Sequence, residues 1–80
     1  MNIIYTKQAE KHISKLDKPT KKRIKAGIEA IPSGDIKRLQ GVIPITFRLR
    51  VGDYRIIFEM TLETVLIHAV LPRGKAYNRI

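Results

Sequence analysis

Cysteine and tryptophan are absent from the 80 residues, acidic side chains number only seven, and aromatic residues make up 6% of the chain. Without thiols there is no disulfide framework, no thiolate zinc site and no cysteine nucleophile, which fits a reducing compartment. The seven carboxylates are scattered, leaving no cluster to hold a divalent ion for metal-dependent hydrolysis. His12 and His68 stand far apart with neither cysteines nor paired acids, so they do not suggest zinc. No cofactor is expected, and nothing marks a small-molecule substrate. The apolar runs are only a few residues long, and the start, MetAsnIleIleTyrThrLys, lacks the basic-then-apolar order of a signal peptide. A soluble, cytoplasmic protein with no membrane partner is the expectation.

What is abundant is positive charge. Sixteen lysines and arginines against seven acids give a net charge of +9 and a pI near 10.3. A surplus of that size in one small domain, residues 1–80, points to nucleic acid or to an acidic protein competing for the same surface. Anionic membranes attract basic chains too, but through an apolar helical face left free to insert. Here the fold is expected to use the apolar faces.

The stretch Phe47 to Ile57 reads as a β-hairpin. Ile45, Phe47, Leu49 and Val51 alternate with Thr46, Arg48 and Arg50; beyond Gly52-Asp53, Tyr54, Ile56, Phe58 and Met60 alternate with Arg55, Ile57 and Glu59. A glycine opening a two-residue loop is a tight-turn signal. Pairing Val51 with Tyr54 puts Arg50 directly opposite Arg55 on the less apolar face. Like charges so placed, with Cβ atoms roughly 4.5–5.5 Å apart, destabilise a sheet. The pair is therefore read as the floor of an anion site, against the plainer alternative of two side chains splaying into water.

Around the hairpin the chain reads as strand, helix, helix, then three strands. Met1 to Tyr5 is a short strand, and Thr6 caps a helix over about Lys7 to Asp17. Ala9, Ile13 and Leu16 form that helix's buried stripe, with Lys7, Lys11 and Lys15 opposite. Asp17 caps a second helix with Pro19 in its first turn. Its inner face is Ile24, Gly27, Ile28 and Ile31, and Lys18, Lys21, Lys22, Arg23 and Lys25 lie mostly outside. A mid-helix glycine costs about 1 kcal/mol relative to alanine, so Gly27 predicts close packing. Ile36 to Pro44 reads as an irregular connection anchored by Leu39. Strands over about Ile45–Val51, Tyr54–Met60 and Thr64–Leu71 make an antiparallel meander. The result is a two-layer α+β domain, an N-terminal strand and two helices packed on a mainly antiparallel sheet, with the arginines on its other face. Leu66, His68 and Val70 fall in register with them if Met60 pairs with Val65, which sets Arg55 close to Val70.

Arg73, at the exit of the last strand beside Gly74, can then approach Arg55, and Tyr77 follows four residues later, with Lys75 adding a further cation. Arg48, Arg50, Arg55, Arg73 and Tyr77 are predicted to surround one cleft. Guanidinium groups grip phosphate oxygens in bidentate fashion and suit a phosphate that gains charge in a transition state. A tyrosine ring stacks on a base and its hydroxyl moves protons. RNA carries its own nucleophile, the 2′-hydroxyl, so such a cleft can cut it without metal. Other readings stand beside these. Tyr77 also fits a cover over the sheet edge, and His68 in its apolar strand fits a satisfied structural histidine. His12 fits a structural or solvated one. Lys7, Lys11, Lys15, Lys21, Lys22 and Lys25 fit either a solvated face or a docking surface for nucleic-acid phosphates.

The order of elements, the run ArgLeuArgValGlyAspTyrArgIleIlePhe and the later ProArgGlyLysAlaTyr resemble a RelE/ParE-type toxin of a bacterial or archaeal toxin–antitoxin pair, over essentially the whole chain. The end motif leans toward the RelE branch. That resemblance implies cleavage of mRNA in the ribosomal A site by 2′-hydroxyl attack, and silencing by a cognate antitoxin that wraps around the toxin. Arg55, Arg73 and Tyr77 match the family's site residues; Arg48 aligns with one of two lysines that some relatives use, and Thr46 occupies the other position. An arginine is a poor proton acceptor near neutral pH. Tyr77, or a neutral His68 facing the cleft, would then serve as base, or the rate would come mostly from electrostatics and orientation. Two alternatives stay open: a ParE-like, non-catalytic inhibitor of DNA gyrase, and a catalytically degenerate member that binds RNA without cutting it.

Overall fold

The computed structural model describes residues 2–74. In chain order the elements are β1 (Asn2–Tyr5), α1 (Lys7–Ser14), α2 (Lys18–Glu29), β2 (Asp35–Arg38), β3 (Phe47–Val51), β4 (Tyr54–Met60) and β5 (Thr64–Pro72). The strands form one sheet in the order β1-β5-β4-β3-β2, with β1 parallel to β5 and the other pairs antiparallel. Both helices lie on one face, α1 over β5 and β1 and α2 over β3. The core between the layers is built from Ala9 and Ile13 of α1, Ile24 and Ile28 of α2, and Leu49, Ile56, Phe58, Val65, Ile67 and Val70 of the sheet.

The caps follow from side-chain chemistry. Thr6 accepts a hydrogen bond from the Ala9 N–H at 3.1 Å, and Asp17 accepts one from the Thr20 N–H at 3.3 Å, each relieving a donor that a helix start leaves unpaired. The bonds from Thr20 hold the Asp17 carboxyl below its ordinary value. A carboxyl depressed in the folded state stabilises above its unfolded pKa and loses that contribution as pH falls through the folded one. Asp17→Ala is thus expected to lower stability at neutral pH and to match wild type in strong acid, as read from urea unfolding at the two pH values.

Gly27 sits where α2 meets β3. A Cβ at that position would come within 2.7 Å of Val51 Cγ2, a stiff, branched side chain that cannot swing away. Alanine would gain about 1 kcal/mol in helix propensity, but overpacking typically costs about 1–3 kcal/mol. Gly27→Ala is therefore expected to lower the urea midpoint, and adding Val51→Ala to restore part of it.

Four expectations need correction. Asp35–Arg38 is a fourth partner in the antiparallel part of the sheet rather than irregular chain, because its backbone completes the open edge of β3. The first helix stops at Ser14, short of Asp17, although Leu16 still packs on the core. The third is a change of parity in β5. Met60 pairs with Val65 as expected, but the register slips between Ile57 and Phe58, so that His68 is an extra residue between Ile67 and Ala69. Beyond this β-bulge Val70 turns into the core, and Arg55 lies opposite Leu71 instead of near Val70. The polar groups of β5 beyond the end of β1 are taken up by α1 and its cap. The Thr6 N–H bonds the Ile67 carbonyl at 3.0 Å, the Thr6 hydroxyl donates to the His68 carbonyl at 3.1 Å, and His12 Nδ1 accepts the Val70 N–H at 3.1 Å. His12 is thereby structural. Ile45, expected to face inward, is half exposed because β3 begins only at Phe47.

Candidate nucleic-acid interface

The hairpin turn sets the site. Gly52 takes φ +57° while Asp53 keeps a negative φ, a backbone that puts glycine first in a two-residue loop and closes Val51 onto Tyr54. Arg50 then stands opposite Arg55, as the alternation requires. Directly opposed residues share a face, so the arginine side of the sheet carries one row of Asp35, Arg50, Arg55 and Leu71. The next row is Lys37, Arg48, Ile57 and Ala69. Ile57 and Ala69 are buried and give that face an apolar floor.

Arg73 joins from beyond the end of β5. Its N–H donates to the Asp53 carbonyl at 2.7 Å, which fastens the end of β5 to the hairpin turn. Arg48, Arg50, Arg55, Arg73 and Gly74 line a single cavity of about 330 Å³. Four guanidinium groups converging on one cavity repel one another, and an anion bound among them relieves that repulsion. Several forked donors with no acceptor match a phosphate better than any neutral ligand.

Asp35 and Lys37 escape the sequence reading because their strand does. The Arg48 guanidinium lies 3.5 Å from an Asp35 carboxylate oxygen and donates to the Asp35 carbonyl at 3.2 Å. This pins a side chain that is itself only 14% exposed. Asp35 also stands opposite Arg50 and moderates the charge of that row. The signal was present as an alternation, Asp35 and Lys37 out with Ile36 in, but a single apolar residue is too short a pattern to show a strand.

His68 does not line the arginine cavity. Its Nε2 pairs with a Glu59 carboxylate oxygen, both side chains being largely buried. Thr46 is fully buried, its hydroxyl donating to the Pro44 carbonyl at 2.8 Å, so it does not reach the cavity either. Lys7, Lys11, Lys22 and Lys25 are exposed and Lys21 half-buried, all on the helices and therefore on the other face of the sheet from the arginines; Lys15, also exposed, is the C-cap of α1. Lys18, Lys21, Lys22 and Lys25 border an open depression along α2. Between the two helices, a cavity of about 270 Å³ sets Lys21 and Lys25 against Glu10 and Tyr5. Burial, with the Glu29 charge adding, pushes the Tyr5 phenol up, so it stays neutral there. That cavity has mixed charge, unlike the arginine one. Lys75 and Tyr77 lie outside the described residues.

A family model and several known proteins resemble this chain in sequence or in fold. The model described as ParE toxin of the type II toxin-antitoxin system parDE matches residues 3–77. Toxin RelE3 of Methanocaldococcus jannaschii is 30% identical, over 98% of this chain and 97% of that protein. The RelB-RelE antitoxin-toxin complex from Methanococcus jannaschii contains a chain that superposes with a TM-score of 0.71 at 29% identity, covering 86% of this chain and 88% of that one. The archaeal RelE-RelB complex from Pyrococcus horikoshii gives a TM-score of 0.73 at 27% identity, covering 94% and 97%.

Proposed function

The chain belongs to the RelE/ParE superfamily of toxins, and on that premise we propose that it is a ribosome-dependent mRNA endonuclease acting in the cytoplasm. The convergence of Arg48, Arg50, Arg55 and Arg73 on one cavity carries this reading. In the reaction the 2′-oxygen of the mRNA attacks the adjacent phosphorus. The new O–P bond forms as the bond to the 5′-oxygen breaks; one proton leaves the 2′-hydroxyl and another reaches the departing oxygen. Arg55 and Arg73 stabilise the charge gathering on the phosphorane, while Arg48, held by Asp35, and Arg50 hold the backbone. With His68 engaged by Glu59, Tyr77 is the residue proposed to stack on a base or take part in proton transfer. Lys75 and the helix lysines at positions 7, 11, 15, 21, 22 and 25 are proposed to dock on ribosomal RNA.

Two solved structures similar to this chain are RelB-RelE complexes, and a chain of net charge +9 suits an acidic, partly disordered antitoxin that folds on binding. Such a partner is proposed to mask the arginine face or the tail around Tyr77.

A ParE-like reading, inhibition of gyrase by protein contact, draws on the description of the matching family model. Primer extension on a reporter mRNA separates the two. Cuts confined to the A-site codon, present with programmed ribosomes and missing from naked mRNA, are the expected result. An absence of cuts from folded protein, with DNA-damage signalling preceding translation arrest in cells, would move the assignment to gyrase.

A further inference from the structure

The arginine cavity uses only one side of the sheet's end. Successive residues of a strand point to opposite faces, so Tyr54 and Pro72, paired with each other, turn toward the helices while their neighbours Arg55 and Arg73 line the arginine cavity. On the helix side Tyr54, Val70 and Pro72 join His12, Lys15 and Leu16 around a second cavity of about 230 Å³. The two cavities stand back to back across the last residue pairs of β4 and β5. Between them is a rim made by the hairpin turn and Arg73-Gly74, where Gly74 carries no side chain.

We propose that the second cavity is a nucleobase subsite for the RNA strand whose phosphate lies among the arginines, the strand passing over that rim. This rests on the nuclease reading above. The chemistry is that of a base pocket. A tyrosine ring and a proline ring offer flat faces, and Leu16 and Val70 keep the floor apolar. His12, held to β5 by the bond its Nδ1 accepts from the Val70 N–H, forms one wall of the cavity. Lys15 is exposed at the cavity and supplies a cation for a flanking phosphate. Proteins that hold single strands combine a cationic track with aromatic platforms in this way. The bulge at His68 is what makes the arrangement possible, because it rotates Val70 onto the helix side and aims its N–H at His12.

The test is a ¹H–¹⁵N NMR titration of the intact protein with adenosine 3′,5′-bisphosphate, uridine 3′,5′-bisphosphate and inorganic phosphate, using wild type, Tyr54→Leu and the surface variant Lys15→Gln. The dispersed spectrum itself reports that each variant folds. Both nucleotides and inorganic phosphate are expected to shift Arg55 and Arg73. Only the nucleotides should shift Tyr54, His12 and Leu16, and Tyr54→Leu should weaken nucleotide binding by about fivefold or more without affecting phosphate. Lys15→Gln should weaken nucleotide binding to a smaller degree. Nucleotides that move the arginine signals but leave Tyr54 and His12 in place would overturn the subsite and spare the arginine site. If no ligand moves Arg55 or Arg73, the nuclease reading loses its phosphate site and the subsite falls with it.

Discussion

Arg73→Ala should abolish mRNA cleavage and growth inhibition while leaving the fold intact. The side chain is exposed at the end of β5, and the contact that fastens this end to the hairpin uses the Arg73 backbone N–H, which alanine keeps. Substitutions at such surface positions usually change stability by no more than about 0.5 kcal/mol. The functional loss is much larger, since removing one preorganised donor from developing oxyanion charge costs about two to three orders of magnitude in rate. Arg73→Lys is a useful companion. It retains the charge but loses the planar fork, so an intermediate rate is expected if bidentate grip on the phosphate matters. Single-turnover cleavage on programmed ribosomes, with thermal melting of the same preparations, gives both quantities. Retained toxicity of Arg73→Ala at equal expression would remove Arg73 from the site.

Most of this site was legible because it lies on a hairpin. Arg48, Arg50 and Arg55 share one parity on two strands joined by a turn whose length the glycine makes plain, so their common face follows from alternation alone. Gathering Arg73 takes one further step, the antiparallel return of β5, and that step does not depend on the one-residue shift at the bulge. The bulge was not legible. ValLeuIleHisAlaValLeu is close to uniformly apolar, and in such a run the inward and outward residues cannot be told apart by hydrophobicity. Parity there is decided by tertiary partners: Thr6 and His12 hold β5 from one side while Glu59 draws His68 to the other. The edge strand β2 was missed for a related reason. Its backbone is ordered by what β3 offers rather than by its own four residues, and the ion pair of Asp35 with Arg48 went unseen with it.

The same sheet couples stability to the site, and Phe58 shows how strongly. Its side chain is completely buried, its ring lies 5.6 Å from that of Phe47 directly across the ladder, and it belongs to the core cluster that the sheet shares with the helices. Replacing a buried phenylalanine by alanine costs about 3–5 kcal/mol, and a domain of this size has only about 4–12 kcal/mol in total. Phe58→Ala should therefore melt at least about 12 °C lower than wild type, with Phe58→Leu in between. Because β4 carries Phe58 on one face and Arg55 on the other, unfolding scatters the guanidinium cluster along with the core. A selection for cells that escape growth arrest would then recover Phe58→Ala beside Arg73→Ala, two losses with different causes. Melting separates them: Arg73→Ala should unfold with wild type, and Phe58→Ala well below it. Cooling Phe58→Ala into its folded range should return cleavage, whereas Arg73→Ala should stay inactive at every temperature. A Phe58→Ala protein that melts like wild type would mean that the core is not organised around this ring.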